Sequence, residues 1–277
     1  MATIASGAAG TAPSPGSAPS RLAEVRGTLS DWRTLTYRNL LVWTRVPAYI
    51  VFTVVQPVMF VLMFRFVFGG AIQTSNAGGY VNFLLPGIIG QTAAFASIGT
   101  AIALAIEVQK GVIDRLRSMP ISRSAVLAGR LMADTARMTL TIVVIVAVGY
   151  AVGFRFTQGV TAAVAMVLLA IAFGMVICCV SAFIGLAVKD EESVQAFGLI
   201  WLFPLTFLSS AFVPIASMPG WLQAFANNQP VTHVINAMRA LAIGGPVAHE
   251  LLLGVIWLVG ILAVFAPLAV RAYKSAS

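Results

Sequence analysis

The side chains able to carry covalent or metal chemistry are few in this sequence, and their spacing forms no site. Cys178 and Cys179 are adjacent inside an apolar run, which is typical of small side chains buried in a helix. His233 and His249 have no cysteine or paired histidine at the spacing of a metal site. The sequence therefore predicts no catalytic residue and no metal ligand.

The most informative spacing lies instead in a charged segment, residues 107–123, between two long apolar runs. Glu107, Lys110 and Asp114 recur at helical intervals, which predicts that they share one face of a helix. Pro120 is expected to end this helix and to turn the chain back. An apolar stripe on the same segment either anchors the helix along the membrane or fills a groove on a partner. The stripe consists of Val112, Ile113, Leu116 and Met119.

The composition indicates whether this chain folds in water or in a lipid bilayer. Of its 277 residues, 59% are hydrophobic and only 9% are charged, whereas about 25% of the residues of an average soluble domain are charged. Several continuous apolar runs approach the ~20 residues that a helix needs to cross a bilayer. The sequence therefore predicts a polytopic helical membrane protein. Its net charge of +8 follows membrane topology rather than binding to nucleic acid.

We predict an all-α membrane protein with six spanning helices. The third span is short, and residues 124–137 are expected to precede it as part of one continuous helix. Residues 214–250 are too polar and too often interrupted by Pro and Gly to cross, which predicts short helices in or dipping into the outer leaflet. Apolar residues recur there at helical spacing from Val231 to Ala242. The predicted spans are residues 48–68, 81–106, 138–154, 160–188, 194–213 and 251–270.

The residues before the first span divide into two parts. Residues 1–20 carry no charge and no apolar core, which predicts a disordered leader rather than a signal peptide. Residues 22–46 have the pattern of an amphipathic helix in the membrane interface, with tryptophan and flanking arginine. This interfacial helix carries Trp32, Arg33, Arg38 and Trp43. A transmembrane domain is then predicted over residues 48–270, followed by a cytoplasmic tail at residues 271–277.

The distribution of Lys and Arg orients the predicted spans, because basic residues accumulate on the cytoplasmic side of a membrane protein. Five precede the first span, and six fall within residues 107–137. Lys189, Arg271 and Lys274 fall on the same side by alternation, whereas Arg155 and Arg239 fall on the other. Both termini and the charged segment are therefore predicted to be cytoplasmic.

One acid–base pair lies on the cytoplasmic approach to the third span. Asp134 and Arg137 are three residues apart on a predicted helix and are expected to neutralise each other. The central parts of the spans contain no Asp, Glu, Lys or His that would continue a proton path. This pair is therefore interpreted as structural, which argues against a proton-driven carrier.

The charged segment also resembles a known family. The motif Glu-x-x-Lys-Gly-x-x-Asp-Arg-Leu-Arg-Ser-Met-Pro, at residues 107–120, is similar to the cytoplasmic coupling segment of ABC-2 type transporter permeases. The resemblance covers almost everything after residue 30, with the daunorubicin-resistance type of drug-efflux permease as the most similar group. Further matching motifs lie at residues 129–134, 214–223, 228–231 and 237–241.

This resemblance implies a permease subunit of an ATP-driven exporter of hydrophobic or amphipathic compounds in a bacterial cytoplasmic membrane. Drugs, lipids and secondary metabolites are all candidate cargo. It implies that a pair of permeases, either two copies or two paralogues, docks on two ATPase subunits. The sequence has no phosphate-binding loop of the Gly-x-x-x-x-Gly-Lys-Ser/Thr type. ATP and Mg²⁺ are therefore expected in the partner ATPase, with no cofactor bound by this chain.

The resemblance also implies roles for particular residues. The transport path is expected between two permease subunits, with residues 214–250 capping it on the outside and with walls at Phe95, Phe203, Phe207 and Phe212. The ATPase contact is expected on the interfacial helix and on the coupling segment. The coupling residues are Glu107, Lys110, Gly111, Asp114, Arg115, Leu116, Arg117 and Pro120.

Three alternative functions are compatible with parts of the sequence. The same family includes exporters of polysaccharides and peptides, so the cargo class is open. An ion-coupled secondary carrier would use ionisable residues near mid-membrane and broken helices. A membrane-embedded enzyme would need a nucleophile with a base, or a metal cluster, and the sequence shows neither pattern.

Overall fold

The structure, a computed structural model, describes residues 34, 36, 37, 39–41, 45, 47–69, 79–117 and 123–275. Regular secondary structure in these residues is helical throughout, in agreement with the predicted all-α class. The leader predicted at residues 1–20 lies outside the described part of the chain. So do Pro120 and the residues named for the interfacial helix, which are Trp32, Arg33, Arg38 and Trp43.

The described residues from Pro47 onward form nine α-helices. A π-helical turn at Phe64–Phe68 extends the first of them, and a 3₁₀ turn at Ile215–Ser217 follows the sixth. The helices are α1 (Pro47–Met63), α2 (Gly79–Gln109), α3 (Val112–Arg117), α4 (Arg123–Ala151), α5 (Gly159–Val188), α6 (Glu191–Phe207), α7 (Gly220–Asn228), α8 (Pro230–Ile243) and α9 (Val247–Ser275).

Four of these helices are long and apolar enough to cross a membrane. They correspond to four predicted spans, and α4 is one continuous helix as expected. The two remaining predicted spans correspond to α1 and α6, which have 17 residues each. A helix of that length extends about 25 Å, against a bilayer core of about 30 Å. The four long segments are Gly79–Gln109, Ala128–Ala151, Gly159–Val188 and Val247–Ser275.

The two ends of α6 have local causes. At its start, the Asp190 carboxylate accepts a hydrogen bond of 2.8 Å from the Ser193 backbone N–H, and hydrogen bonding from Ser193 lowers the pKa of this acid. At its end, the prediction of helix up to residue 213 was wrong. The Ser209 hydroxyl donates to the Thr206 carbonyl and accepts from the Ala211 N–H, so side-chain hydrogen bonds replace helical ones after Phe207.

The central element of the bundle is α2. It contacts α1, α4, α5, α6 and α8, and its residues from Tyr80 to Gln91 are all buried. The closest approach is to α5, where a Cβ atom on Gly185 would collide with the backbone carbonyl of Ala101. Small residues at such crossings let helices pack closely where no water drives their association. This central helix is therefore enclosed by its neighbours on nearly every side.

Residues at the helix termini form two separate groups. At one end, the Tyr80 hydroxyl donates to the Phe212 carbonyl over 3.0 Å, and the Thr157 N–H donates to the Ala242 carbonyl over 3.0 Å. At the other end, an apolar cluster joins the last turns of α2, α5 and α9. The cluster consists of Leu104, Ile113, Ala182, Leu186, Ala269 and Tyr273. The long helices α2, α5 and α9 therefore run between these two ends.

The segment between α6 and α9 forms the short helices expected there. Of these, α8 packs against α2, α5 and α9, and its Val231, Val234, Ile235 and Met238 side chains are fully buried. By contrast, Trp221 on α7 is 74% exposed. The helical prediction for this segment is confirmed, with α8 as part of the core and α7 on the surface.

Candidate coupling segment and transport path

The coupling segment is not the single helix that the spacing predicted. The last turn of α2 ends at Gln109, and Gly111 then adopts a left-handed conformation with φ of +62° before α3 begins at Val112. Glycine tolerates this conformation because it has no Cβ atom. The break means that Glu107, Lys110 and Asp114 do not share one continuous helical face. This part of the prediction was wrong because the spacing of the charges does not account for the left-handed backbone at Gly111, which interrupts the helix.

The predicted coupling residues fall on both sides of that break. Glu107 lies half-buried at the end of α2, while Lys110 is exposed in the turn beside Gly111. Gly111 forms the break itself, Pro120 lies outside the described residues, and the other four belong to α3 at the end of the bundle that carries the apolar cluster. These α3 residues are Asp114, Arg115, Leu116 and Arg117.

Two apolar residues of the predicted stripe, Val112 and Ile113, pack against helices of this chain. Ile113 is only 1% exposed and belongs to the apolar cluster at this end of the bundle, where Val112 also packs. Ile113, in the first turn of α3, is thus covered by helices of its own chain. Sequence spacing could not reveal this, because the covering helices α5 and α9 follow much later in the chain.

A network of ion pairs connects α2 to α4 next to the coupling segment. Arg130 lies 3.6 Å from both the Glu107 and Asp134 carboxylates, and Arg137 lies 3.0 Å from Asp134. The Thr100 hydroxyl donates to Asp134 over 2.6 Å. The predicted pairing of Asp134 with Arg137 is confirmed, and the structure extends it to two acids and two bases. Because these charges balance, the cluster joins two helices without leaving a net charge between them.

The four phenylalanines predicted for the transport path lie in one continuous aromatic row. Phe95 contacts Phe203 edge-on at a centroid distance of 5.6 Å, and Phe203 stacks on Phe207 at 4.7 Å. Phe207 then stacks on Phe212 at 5.0 Å. Offset and edge-on contacts of this kind are favourable aromatic geometries. We call this set, Phe95, Phe203, Phe207 and Phe212, the aromatic row.

The aromatic row connects the interior with the surface of the molecule. Phe203 is 49% exposed on α6, whereas Phe212 is buried at the end of the bundle that carries Tyr80. Phe212 also stacks on Phe64 of the π-helical turn, at a centroid distance of 4.8 Å. The row thus offers an apolar surface that runs along α6, from the middle of α2 to that end.

Comparison with known proteins identifies the family to which this chain belongs. Residues 30–243 match the family model of the ABC-2 type transporter. The chain is 34% identical over 273 residues to the daunorubicin resistance ABC transporter permease protein DrrB1 of Streptomyces coeruleorubidus, covering 99% of this chain and 95% of that protein. The chain belongs to the ABC-2 type transporter family.

Two further relatives extend the similarity. A probable doxorubicin resistance ABC transporter permease protein DrrC of Mycobacterium tuberculosis is 31% identical over 245 residues, covering 87% of each chain. A putative transport permease ycf38 of Porphyra purpurea is 26% identical over 205 residues, covering 72% of this chain and 69% of that protein. The resemblance inferred from the coupling motif is therefore confirmed, and this multi-pass membrane protein is a permease subunit of an ABC exporter.

One structurally important residue of this ABC-2 permease was missed by the sequence analysis. Arg239 of α8 is 8% exposed, and it donates to the Phe83 carbonyl over 3.1 Å, to the Ser210 carbonyl over 2.8 Å and to the Asn236 side chain over 2.7 Å. Its guanidinium carbon also lies 3.7 Å from the centroid of the Phe83 ring. The sequence analysis counted Arg239 only as one of the two positive charges on the side opposite the cytoplasm, so its connecting role was not predicted. Its position inside an apolar helical repeat was the available signal.

Metal-binding geometry does not occur within the described ranges, 34–69 and 79–275 with their gaps. No group of three or more His, Cys, Asp or Glu side chains lies close enough to hold an ion there. His233 instead forms a 2.9 Å contact with Glu250, which joins α8 to the first turn of α9. Cys178 and Cys179 are buried, as expected for small side chains in a packed helix.

Proposed function

We propose that this permease exports hydrophobic or amphipathic compounds, such as drugs, lipids or secondary metabolites, across a bacterial cytoplasmic membrane. The observation that carries the proposal is the near full-length similarity to a permease named for daunorubicin resistance. The aromatic row supports it, because a row of exposed and buried phenylalanines suits an apolar cargo better than a highly charged one.

The proposed topology has six spans with both termini in the cytoplasm. Its support is the alternation of the long helices between two ends, which groups the coupling segment with Lys189 and Tyr273. Basic residues concentrate at that end, as the positive-inside rule requires of the cytoplasmic side. In this arrangement α1 and α6 reach across the membrane with the help of the turns that follow them.

The proposed energy source is ATP hydrolysis in two separate ATPase subunits, which hold ATP and Mg²⁺ and dock on the cytoplasmic end of a permease pair. The pair is either two copies of this chain or this chain with a paralogue. Docking is proposed on α3, on exposed Lys110 and on the predicted interfacial helix. Ile113 and the Glu107–Arg130 ion pair would transmit a displacement of α3 to α5, α9 and α4. For this to be coupling, the ATPases must contact α3 differently in two states.

The decisive experiment is transport into inside-out membrane vesicles that contain this chain and its partner ATPase. We expect ATP-dependent accumulation of daunorubicin, no accumulation with either subunit alone, and no effect of collapsing the proton gradient. Vesicles with an ATPase variant that cannot hydrolyse ATP provide the control. Uptake that follows the proton gradient without any ATPase would show that the chain is a secondary carrier instead.

A further inference from the structure

Arg130 of α4 lies between two acidic residues and makes a hydrogen bond to neither of them. Its Nη1 atom is 3.6 Å from Glu107 of α2, and its Nε atom is 3.6 Å from Asp134, which follows one turn later on α4. Hydrogen bonds from an N–H group to an oxygen span about 2.7–3.2 Å. The guanidinium is therefore within ion-pair distance of both carboxylates without being bound closely to either.

Asp134 is held in place by groups other than Arg130. The Thr100 hydroxyl of α2 donates to it over 2.6 Å, and Arg137 lies 3.0 Å from its second oxygen. Arg137 in turn donates to the Ala96 carbonyl of α2 over 3.3 Å. Because these contacts join α2 to α4 wherever the Arg130 side chain points, Asp134 is the fixed acid of the two.

Glu107 lies where a displacement of the coupling segment would act first. It is in the last turn of α2, which ends at Gln109, and the left-handed Gly111 then leads into α3. The Glu107 side chain is 15% exposed and that of Arg130 is 16% exposed, so salt screens their attraction less than it would at the surface. A shift of under about 1 Å would bring Arg130 to hydrogen-bond distance from one acid and separate it from the other.

The two acids offer the Arg130 guanidinium two alternative positions. A hydrogen bond between ionised groups is about twice as strong as one between neutral groups, and each carboxylate can accept such a bond. In this structure neither bond forms, because the guanidinium approaches both acids at once. Moving fully to Glu107 or fully to Asp134 therefore gains a strong hydrogen bond. Elements with two discrete arrangements of this kind can carry coupling between distant sites.

We propose that Arg130 is a two-position connector of the coupling path, which binds Glu107 in one state of the transport cycle and Asp134 in the other. The proposal rests on the ATP-driven export proposed above and specifies how the permease responds to its ATPase. When Arg130 binds Glu107, the last turn of α2 is held against α4. When Arg130 binds Asp134 alone, that turn is free to follow α3, while Thr100 keeps Asp134 in place.

The test measures the ratio of daunorubicin transported to ATP hydrolysed, with the complex of permease and ATPase in proteoliposomes. Arg130→Gln removes the charge, so this ratio should fall at least about fivefold. ATP hydrolysis and the amount of ATPase retained on co-purification should stay unchanged, because docking does not involve this largely buried side chain. Arg271→Gln is the matched control, since Arg271 is an exposed arginine near the end of α9, and its ratio should equal that of the unmodified complex.

Two further variants distinguish a two-position connector from a fixed structural pair. Arg130→Lys keeps a positive charge that both acids attract, so it should retain most of the ratio. The double variant Glu107→Arg with Arg130→Glu restores an ion pair between α2 and α4, but Asp134 repels the acid introduced at position 130. The double variant should therefore keep the low ratio of Arg130→Gln, whereas a fixed pair would regain its function.

The outcomes that overturn the proposal are specific. One is an unchanged ratio in Arg130→Gln, and another is equal losses in Arg130→Lys and Arg130→Gln, which would show that the charge does not matter. Recovery of the ratio in the double variant would reveal a fixed pair and would overturn the connector as well. If the double variant does not insert into the membrane, the comparison of Arg130→Lys with Arg130→Gln decides. Absence of ATP-driven transport by the unmodified complex would instead overturn the export function, and the connector with it.

Discussion

At the scale of single residues, Arg239 shows how a charge can be buried with no acid of the described residues within ion-pair distance. Its three hydrogen bonds reach α2, the turn after α6 and its own helix, so one side chain joins three segments. Two of the acceptors are backbone carbonyls, which keep their positions whatever side chains surround them. Removing such a group strips donors from buried acceptors, which is more costly than losing a surface contact.

This role of Arg239 gives a prediction about stability. Arg239→Met should destabilise the permease by about 2–4 kcal/mol, because buried carbonyls lose their donors while the apolar volume is largely kept. Arg155→Met is the matched control, since the exposed Arg155 donates its side-chain hydrogen bonds to the nearby Tyr150 and Phe154 carbonyls. The measurement is thermal unfolding of the detergent-solubilised protein. Similar losses of stability for both variants would show that the hydrogen bonds of Arg239 between the three segments do not stabilise the protein.

Glu107 illustrates the difference between a residue's type and its environment. Its charge and its position in the coupling motif suggested an exposed contact with an ATPase. The structure places its carboxylate 3.6 Å from Arg130, with its side chain only 15% exposed. An acid in that position is better suited to hold α2 and α4 together than to bind a partner. The exposed candidates for the contact are Lys110 and Arg115.

At the scale of elements, the proposed coupling to an ATPase depends on the junction between α2 and α3. The left-handed φ of Gly111 sets the direction of α3, and a Cβ atom at this position would meet nothing within 4 Å. Space is therefore available for a side chain, and only the backbone conformation opposes it. Because only the backbone conformation opposes a side chain at Gly111, substitutions at this position test the geometry of the coupling segment.

We predict opposite outcomes for two substitutions at Gly111. A β-branched residue in the left-handed region costs about 1–2 kcal/mol, so Gly111→Val should reduce ATP-driven export by roughly 5- to 30-fold. Asparagine tolerates this conformation far better, so Gly111→Asn should keep most of the activity. Both variants should insert into the membrane in equal amounts, which is checked by immunoblotting of the membrane fraction, and Gly111→Val should retain less ATPase on co-purification than Gly111→Asn. Full transport by Gly111→Val would contradict the role assigned to this turn.

At the scale of the whole molecule, the proposed topology assigns exposed residues to one or the other side of the membrane, and this assignment can be tested. It places exposed Lys110 in the cytoplasm and Trp221, which is 74% exposed, on the outer surface. The apolar cluster at the coupling end and the Tyr80–Phe212 hydrogen bond at the opposite end keep these positions on opposite sides of the bundle.

This arrangement predicts the labelling of cysteines in intact cells. In a variant with Cys178 and Cys179 replaced by alanine, Trp221→Cys should react with a membrane-impermeant maleimide. Lys110→Cys should react only after the membrane is permeabilised. Equal labelling of both positions in permeabilised cells controls for accessibility. Labelling of Lys110→Cys in intact cells would reverse the orientation.

The sequence by itself determined the class of protein and the order of its elements. Continuous apolar runs require helices in a bilayer, since each backbone hydrogen bond must be satisfied within the segment. Four of the predicted spans, the continuous helix α4, the helical segment at α8 and the Asp134–Arg137 pair all depend on residues near each other in the chain. Local patterns of this kind can be read directly from the sequence.

Only the tertiary structure decided what surrounds each residue. Ile113 and the long α5 and α9 helices meet although they are far apart in the chain, and Arg239 finds an acceptor on α2, at Phe83. The break at Gly111 and the end of α6 depend on backbone conformation and on side-chain hydrogen bonds that spacing does not encode. Contacts between distant segments arise from packing the whole bundle. For that reason the sequence could predict a coupling segment at residues 107–120, whereas its connections to the rest of the bundle are visible only in the structure.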